Sequence, residues 1–294
     1  MKQSFPKVSK ETLCGLLGLS RQAHHKSCRR QYKERIEAEI ILDFVSRIRS
    51  RQKRIGVKKL LLHIQDQLTA KTNITIGRDA LYDLLRREGM LIKNRRRKPR
   101  TTDSNHNFRR YPNMVRNYIP TGINQLLVSD ITYIDTEEGF VYLFLVTDAY
   151  SRKITGYHAG LTMESAGAVM ALEQTIKDIP IGSQTIHHSD RGLQYASYAY
   201  TEILSKRRMQ ISMTEKGNPL ENCMAERVNG LVKALIDKPY SSKLDALTSI
   251  PEIIEIYNKE QKHGSISMMT PHEAHNSSIK LQNTWKGSAS MVSV

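Results

Sequence analysis

The chain has 294 residues, 39% hydrophobic and 25% charged, which is enough for more than one domain and ordinary enough to fold, and its formal net charge is +16. No run of about eighteen apolar residues exists to span a bilayer, and the opening MKQSFPKVSK lacks the apolar core of a secretory signal, so a membrane protein is excluded and a cytoplasmic one expected. Cys14, Cys28 and Cys223 are too few and too scattered for a disulfide framework or a four-ligand zinc site, and they read as reduced thiols.

The charge is unevenly spread. Residues 1–120 hold 29 Lys+Arg against 10 Asp+Glu, whereas residues 121–294 hold 16 against 19. A basic half joined to a near-neutral half is the electrostatic footprint of a nucleic-acid-binding arm attached to a domain with other work.

In chain order, KETLCGLL and a segment opening at Ser20 are expected as two short helices broken at Gly18, the second carrying Arg21, Lys26, Arg29, Arg30 and Lys33. This is the outline of a helix-turn-helix over residues 1–50. A second pair is predicted over 51–92, from VKKLLLHIQDQL and GRDALYDLLRREGM, with Leu81, Leu84 and Leu85 on one face and Gly89 closing the helix. Arg78, Arg86 and Arg87 accompany those leucines without being needed for a core. Residues 93–120 read as a basic linker. Six of the eight residues of KNRRRKPR are basic, and Arg95, Arg96 and Arg97 are candidates for phosphate contact.

From residue 121 to 240 the pattern turns to strands and helices. LLVSDITYI, FVYLFLVTDAY and KITGYHAG predict a three-strand meander, followed by a helix over 163–179, a strand over 183–190, a helix in SYAYTEILSKRR, a short strand MQISMT and a last helix. That order predicts an α/β domain of the ribonuclease-H-like class, a mixed sheet with helices on both faces, preceded by the all-α arm and followed by a helical C-terminal region at 241–294.

Three carboxylates fall where such a sheet would gather them. Asp130 lies in an apolar strand between Val128 and Ile131, a costly place for a charge unless a metal or partner holds it. Asp190 ends the fourth strand, and the two aspartates can meet if the first and fourth strands are neighbours. For the last helix, Asn218 is the predicted N-cap, with Pro219 next and Glu221 at the capping-box position. Its period puts Met224, Val228, Leu231 and Leu235 on one stripe and Asn222, Glu226, Asn229 and Lys233 on the other. Which way the second stripe faces cannot be read from the period. His187 and His188 either orient the site or pack beside it, His188 being a candidate DNA contact. Arg191 faces DNA or pairs locally.

Thirty-five residues separate Asp190 from Glu226, and Lys233 follows seven positions later. With the words SDITYI, HSDRGLQY and ENCMAERVNGLVK around these positions, the chain resembles the DDE transposases of bacterial insertion sequences. It looks closest to the second-reading-frame protein of the insertion-sequence-three family, and is similar at greater distance to retroviral integrases. The resemblance extends to LCGLLGLS, to RIGVKKL through LLRREGM, and to IYNKEQKHGSISMMTPHEAH at 256–275. It implies that Asp130, Asp190 and Glu226 are the metal-binding triad holding two Mg²⁺ or Mn²⁺ ions, and that Lys233 touches DNA near the reacting end. It also implies an enzyme that cleaves and joins double-stranded DNA at element ends, acting as a homo-oligomer on DNA, alone or fused by frameshifting to an upstream-frame product. The chain departs from the family pattern at Leu126 to Ser129, where a Trp is frequent, and at Glu221-Asn222-Cys223, where Asp-Asn-Ala is usual. Neither change touches a proposed ligand. Two rivals stay open at this point: a DNA-binding regulator without chemistry, and a nuclease that cuts without joining.

Overall fold

Ser9 and Ser20 each open a helix by accepting a backbone N–H, from Thr12 and Ala23 respectively, both at 3.0 Å. The computed structural model describes residues 8–72, 74–92, 108–215, 222–236 and 239–281. The chain divides into two units, one of Met1–Arg51 with Ile55–Asn94 and the other of Gln52–Arg54 with Arg95–Val294.

In the first unit α1 (Lys10–Leu16) ends before Gly18, whose φ of 67° reverses the chain. The next helix, α2 (Arg21–Arg51), is not short: it runs for 31 residues. Residues 21–51 contain no Gly or Pro to stop it, and i,i+4 pairs such as Arg30–Glu34 and Arg35–Glu39 line its exposed side. Arg49 and Arg51 lie in its last turn. α3 (Val57–Thr72) and α4 (Arg78–Arg87) follow, the latter closed by Gly89 at φ 68°. Ile41, Val45, Leu60, Ile64, Leu81 and Leu85 meet in one core, so the second half of α2 packs with both later helices.

The second unit is built on β1 (Leu126–Thr136), β2 (Gly139–Asp148), β3 (Ile154–Gly160), β4 (Ile186–Ser189) and β5 (Gln210–Met213), in spatial order β3-β2-β1-β4-β5. The first three form an antiparallel meander, while β4 lies parallel to β1 and β5 parallel to β4. This is the ribonuclease-H-like arrangement. Both faces of β1 and β2 are covered, which is why their sequences are nearly continuous apolar runs. One face carries α5 (Ser165–Ile176), the four-residue α6 (Leu193–Ala196) and α7 (Tyr198–Lys206), packed on Leu127, Phe144 and Val146. The other carries α8 (Cys223–Ala234) and α9 (Lys243–Lys259), packed on Ile134, Leu143 and Leu145. Two glycines let α5 sit down on the sheet: a Cβ at Gly156 would lie 2.0 Å from the Ala171 carbonyl, and one at Gly167 would lie 2.4 Å from the Phe144 ring. A 3₁₀ turn at Gly264–Ile266 and α10 (Pro271–Asn276), opened by a Thr270–Glu273 capping box, complete the unit.

α8 is described as Cys223–Ala234, and the start expected for it at Asn218, Pro219 and Glu221 lies outside the described residues, as do Arg95, Arg96 and Arg97. No described helix is long and apolar enough to cross a membrane.

Candidate active site

The parallel pairing of β1 with β4 ends at Ser129 opposite Ser189. Asp130, inside β1, and Asp190, just past the end of β4, each come one residue later on neighbouring strands about 4.8 Å apart. Strand alternation puts both on the face of Val128 and Ile186, which is the face that packs against Met224 and Ala225 of α8. The condition for the two aspartates to meet, that the first and fourth strands be neighbours, holds. Both are felt by the buried phenol of Tyr195, whose pKa is pushed well above the usual range by burial first, then by Tyr200 and by the Asp130 and Asp190 charges.

The helix brings the third acid. Glu226 stands half-buried in the first turn of α8. Its stripe faces inward: Asn222 is 2% exposed and Asn229 7% exposed, so both stripes of the helix are buried. Asn229, one turn beyond Glu226, donates Nδ2 to Asp130 Oδ2 at 2.8 Å, and Asp130 Oδ1 accepts the Ile131 N–H at 3.0 Å. Asn222 points its amide at the Ser129 carbonyl at 3.5 Å. Asp190 Oδ1 accepts the Gly192 N–H at 2.9 Å, closing the tight turn after β4. Sequence reasoning put Asn222 and Asn229 on the same stripe as Glu226 and gave them no role. An amide three residues from a candidate acid was the available signal.

Below the acids, His187 is fully buried, with Nε2 shared by the Ser129 and Tyr200 hydroxyls at 2.8 Å each. Burial, and then the neighbouring His188, push its pKa down to about 3, so it is neutral. His188 is a correction. It too is fully buried, its Nδ1 2.9 Å from the Ser212 hydroxyl on β5, so although it shares the strand face of Asp190 it presents no surface to DNA. Arg191 spends Nε on the Thr214 carbonyl at 2.6 Å, tying the end of β4 to the end of β5.

Lys233 reaches the open edge that β1 presents once β4 has ended. Its Nζ lies 4.1 Å from the centroid of the Tyr133 ring, and that ring meets Phe140 edge-on at 5.0 Å. In the first unit Arg21 is exposed, and Arg78 is exposed beside Asp79 at 2.8 Å. Cys28 Sγ meets His24 Nδ1 at 3.5 Å inside α2.

Among the described residues, no three of His, Cys, Asp and Glu are already gathered to the distance at which one ion could be held. The donor set nevertheless fits a hard divalent cation. It consists of carboxylate oxygens, flanked by the Asn222 and Asn229 Oδ1 atoms, which are buried without a hydrogen-bond partner among the described residues.

Residues 120–219 match the family model of the integrase core domain, and residues 207–271 match a second model of the same description. Over 271 residues the chain is 34% identical to the insertion element IS600 uncharacterized 31 kDa protein of Shigella sonnei, covering 88% of this chain and 96% of that one. It is 25% identical over 281 residues to transposase InsF for insertion sequence IS3A of Escherichia coli K12, covering 92% and 94%. Among solved structures, the HTLV-2 integrase catalytic core domain in complex with magnesium aligns at 18% identity and a TM-score of 0.42, over 53% of this chain and 98% of that one.

Proposed function

Because the chain belongs to the IS3-family transposases of insertion sequences, we propose that Asp130, Asp190 and Glu226 are the acids with which it cuts and rejoins DNA at the ends of its own element. The observation that carries this reading is the Asn229–Asp130 hydrogen bond, because it ties the helix of Glu226 to the strand end where the register sets Asp130 beside Asp190.

The three carboxylates would hold Mg²⁺ or Mn²⁺, two ions in the full reading, and when bound these activate the attacking oxygen and stabilise the leaving one in an in-line displacement at phosphorus. The protein's own residues supply the rest. Asn229 and the Ile131 N–H fix both oxygens of Asp130, and the Gly192 N–H fixes one of Asp190, so the acids are oriented before substrate arrives. Lys233, extended over Tyr133, offers its ammonium to a phosphate of the element end. The first displacement uses water and frees a 3′-hydroxyl. The second uses that hydroxyl, and since the bonds made and broken are alike, no nucleotide cofactor is needed.

The basic first unit, with Arg21 and Arg78 on its surface, binds the double-stranded ends, and Arg191, Arg95, Arg96 and Arg97 add phosphate contacts. The protein works in the cytoplasm on the nucleoid, as a homo-oligomer on DNA, alone or fused to an upstream-frame product. The test is a cleavage and strand-transfer assay on duplexes carrying the element's own ends. Cutting without joining would favour the nuclease, and inertness with ends, Mn²⁺ and the upstream-frame product supplied would favour the regulator.

A further inference from the structure

The C-terminal stretch 256–275 takes no part in the chemistry above, yet several of its residues gather at the turn between β2 and β3. Asp148, fully buried there, accepts the Ser151 N–H and hydroxyl at 2.7 Å each, and Ser151 Oγ meets His275 Nδ1 of α10 at 2.9 Å. Tyr150 Oη accepts the Leu281 N–H at 2.8 Å. At the centre is Arg152, held at φ 66° and only 7% exposed.

The Arg152 guanidinium reaches three parts of the fold. It donates to the Ala149 carbonyl within its own turn, to Ser265 Oγ of the 3₁₀ turn at 3.3 Å, and to Met224 Sδ of α8 at 2.8 Å. Its carbonyl accepts the Tyr257 hydroxyl of α9 at 3.0 Å. Burial lowers its pKa, and no carboxylate forms a salt bridge with it among the described residues. A methionine would fill this space without the desolvation, so what the guanidinium adds is a set of rigid donors aimed at separate elements. Met224 is the consequential one. It is packed on Leu126 and Val128, the residues leading into Asp130, and stands two positions before Glu226.

We propose that Arg152 is a positioning residue for Glu226: through Met224 it sets the seat of the first turn of α8, and through Ser265 it makes the C-terminal segment part of the active core. The proposal rests on Glu226 being the third acid.

The experiment uses the full chain and compares wild type, Arg152→Met, Arg152→Lys and Met224→Leu by amide hydrogen exchange and by calorimetric titration with Mn²⁺. In Arg152→Met, exchange at residues 223–229 should rise about tenfold while β1 and β2 keep their protection, and Mn²⁺ affinity should fall about tenfold, with partial recovery in Arg152→Lys. A folded Arg152→Met with wild-type exchange at 223–229 and wild-type Mn²⁺ affinity overturns the proposal. If that variant does not fold, Met224→Leu decides. It removes the sulfur acceptor and keeps the volume, and it should loosen the same turn; unchanged exchange there overturns the proposal equally. A wild type that binds no Mn²⁺, or binds it as well after Glu226→Gln, sinks the triad reading, while exchange at 223–229 still decides whether Arg152 seats the helix.

Discussion

Asn229 donates its side-chain amide to Asp130 Oδ2 at 2.8 Å, one helical turn from Glu226, so a single hydrogen bond joins the elements that carry the first and third acids. Two opposite consequences can be drawn from it. The bond either orients Asp130 for metal or competes with metal for its oxygen. Orientation is expected, because carboxylate oxygens have lone pairs to spare and a fixed ligand binds better than a loose one. Asn229→Ala should raise the Mn²⁺ concentration for half-maximal cleavage by about tenfold, with little change in thermal stability. A lower half-saturating concentration would identify the amide as a competitor.

Glu226→Gln keeps the volume of a half-buried side chain and removes its charge. Folding and end binding should survive, while cleavage and joining fall together by at least about a thousandfold, because the charge is needed in the transition state and not for docking. Gel-resolved strand cleavage and strand transfer on the element's ends, with binding measured in parallel, checks both halves. Joining at the wild-type rate would remove Glu226 from the triad.

Asp130 stands out as a candidate in the sequence because a charge inside LLVSDITYI has no cheap explanation, and Asp190 and Glu226 are candidates from spacing and surrounding words. The direction of the second stripe of α8 was not legible. A period of 3.6 marks two stripes, and both are buried where a helix lies against a sheet edge, so Asn222 and Asn229 look like solvent-facing amides in the sequence. His188 misled for a different reason: its place two residues before Asp190 suggests a surface at the site, while packing against Ser212 of β5 leaves the side chain fully buried. Arg152 carried no local signal. Its role depends on a turn, a helix and a C-terminal segment that meet only in the folded chain.

His187 gives a pH dependence with a definite sign. Its folded pKa of about 3 lies below the unfolded value of about 6.5, so its contribution to stability is complete above pH 6.5 and is lost progressively as pH falls toward 3. Over that window each pH unit should cost up to about 1.4 kcal/mol from this group. Thermal unfolding of wild type and His187→Gln between pH 7 and 4 measures it: the variant should be less stable at pH 7, and the gap should narrow on acidification. A constant gap would mean that His187 is not held neutral.

The exposed arginines of α4 meet neighbouring surface groups, Arg78 with Asp79 and Arg86 with Asp83 and the Tyr82 ring, and such exposed contacts contribute little to stability. Replacing Arg78, Arg86 and Arg87 by Ala in the full chain should leave the melting temperature within a few degrees. DNA affinity should fall, and the slope of log affinity against log salt should flatten by about one for each phosphate that the variant no longer neutralises. An unchanged slope would take α4 off the DNA surface.

Lys233 differs from those arginines because its ammonium is already held, 4.1 Å from the Tyr133 ring of β1. A cation over an aromatic face keeps its charge, so the ring fixes where the charge is delivered. Lys233→Ala should weaken binding of the element end and reduce joining without changing Mn²⁺ affinity, since the lysine supplies no ligand. Tyr133→Phe should be nearly silent. Tyr133→Leu should weaken end binding about two- to fivefold, the equivalent of a partly exposed cation–π contact of about 0.5–1 kcal/mol. The double variant separates this from general damage to β1: once Lys233 is Ala, Tyr133→Leu should add nothing. Fluorescence anisotropy of a labelled end with Ca²⁺ in place of Mn²⁺ measures wild type and the four variants without turnover, and additive losses would show that the ring and the lysine act independently.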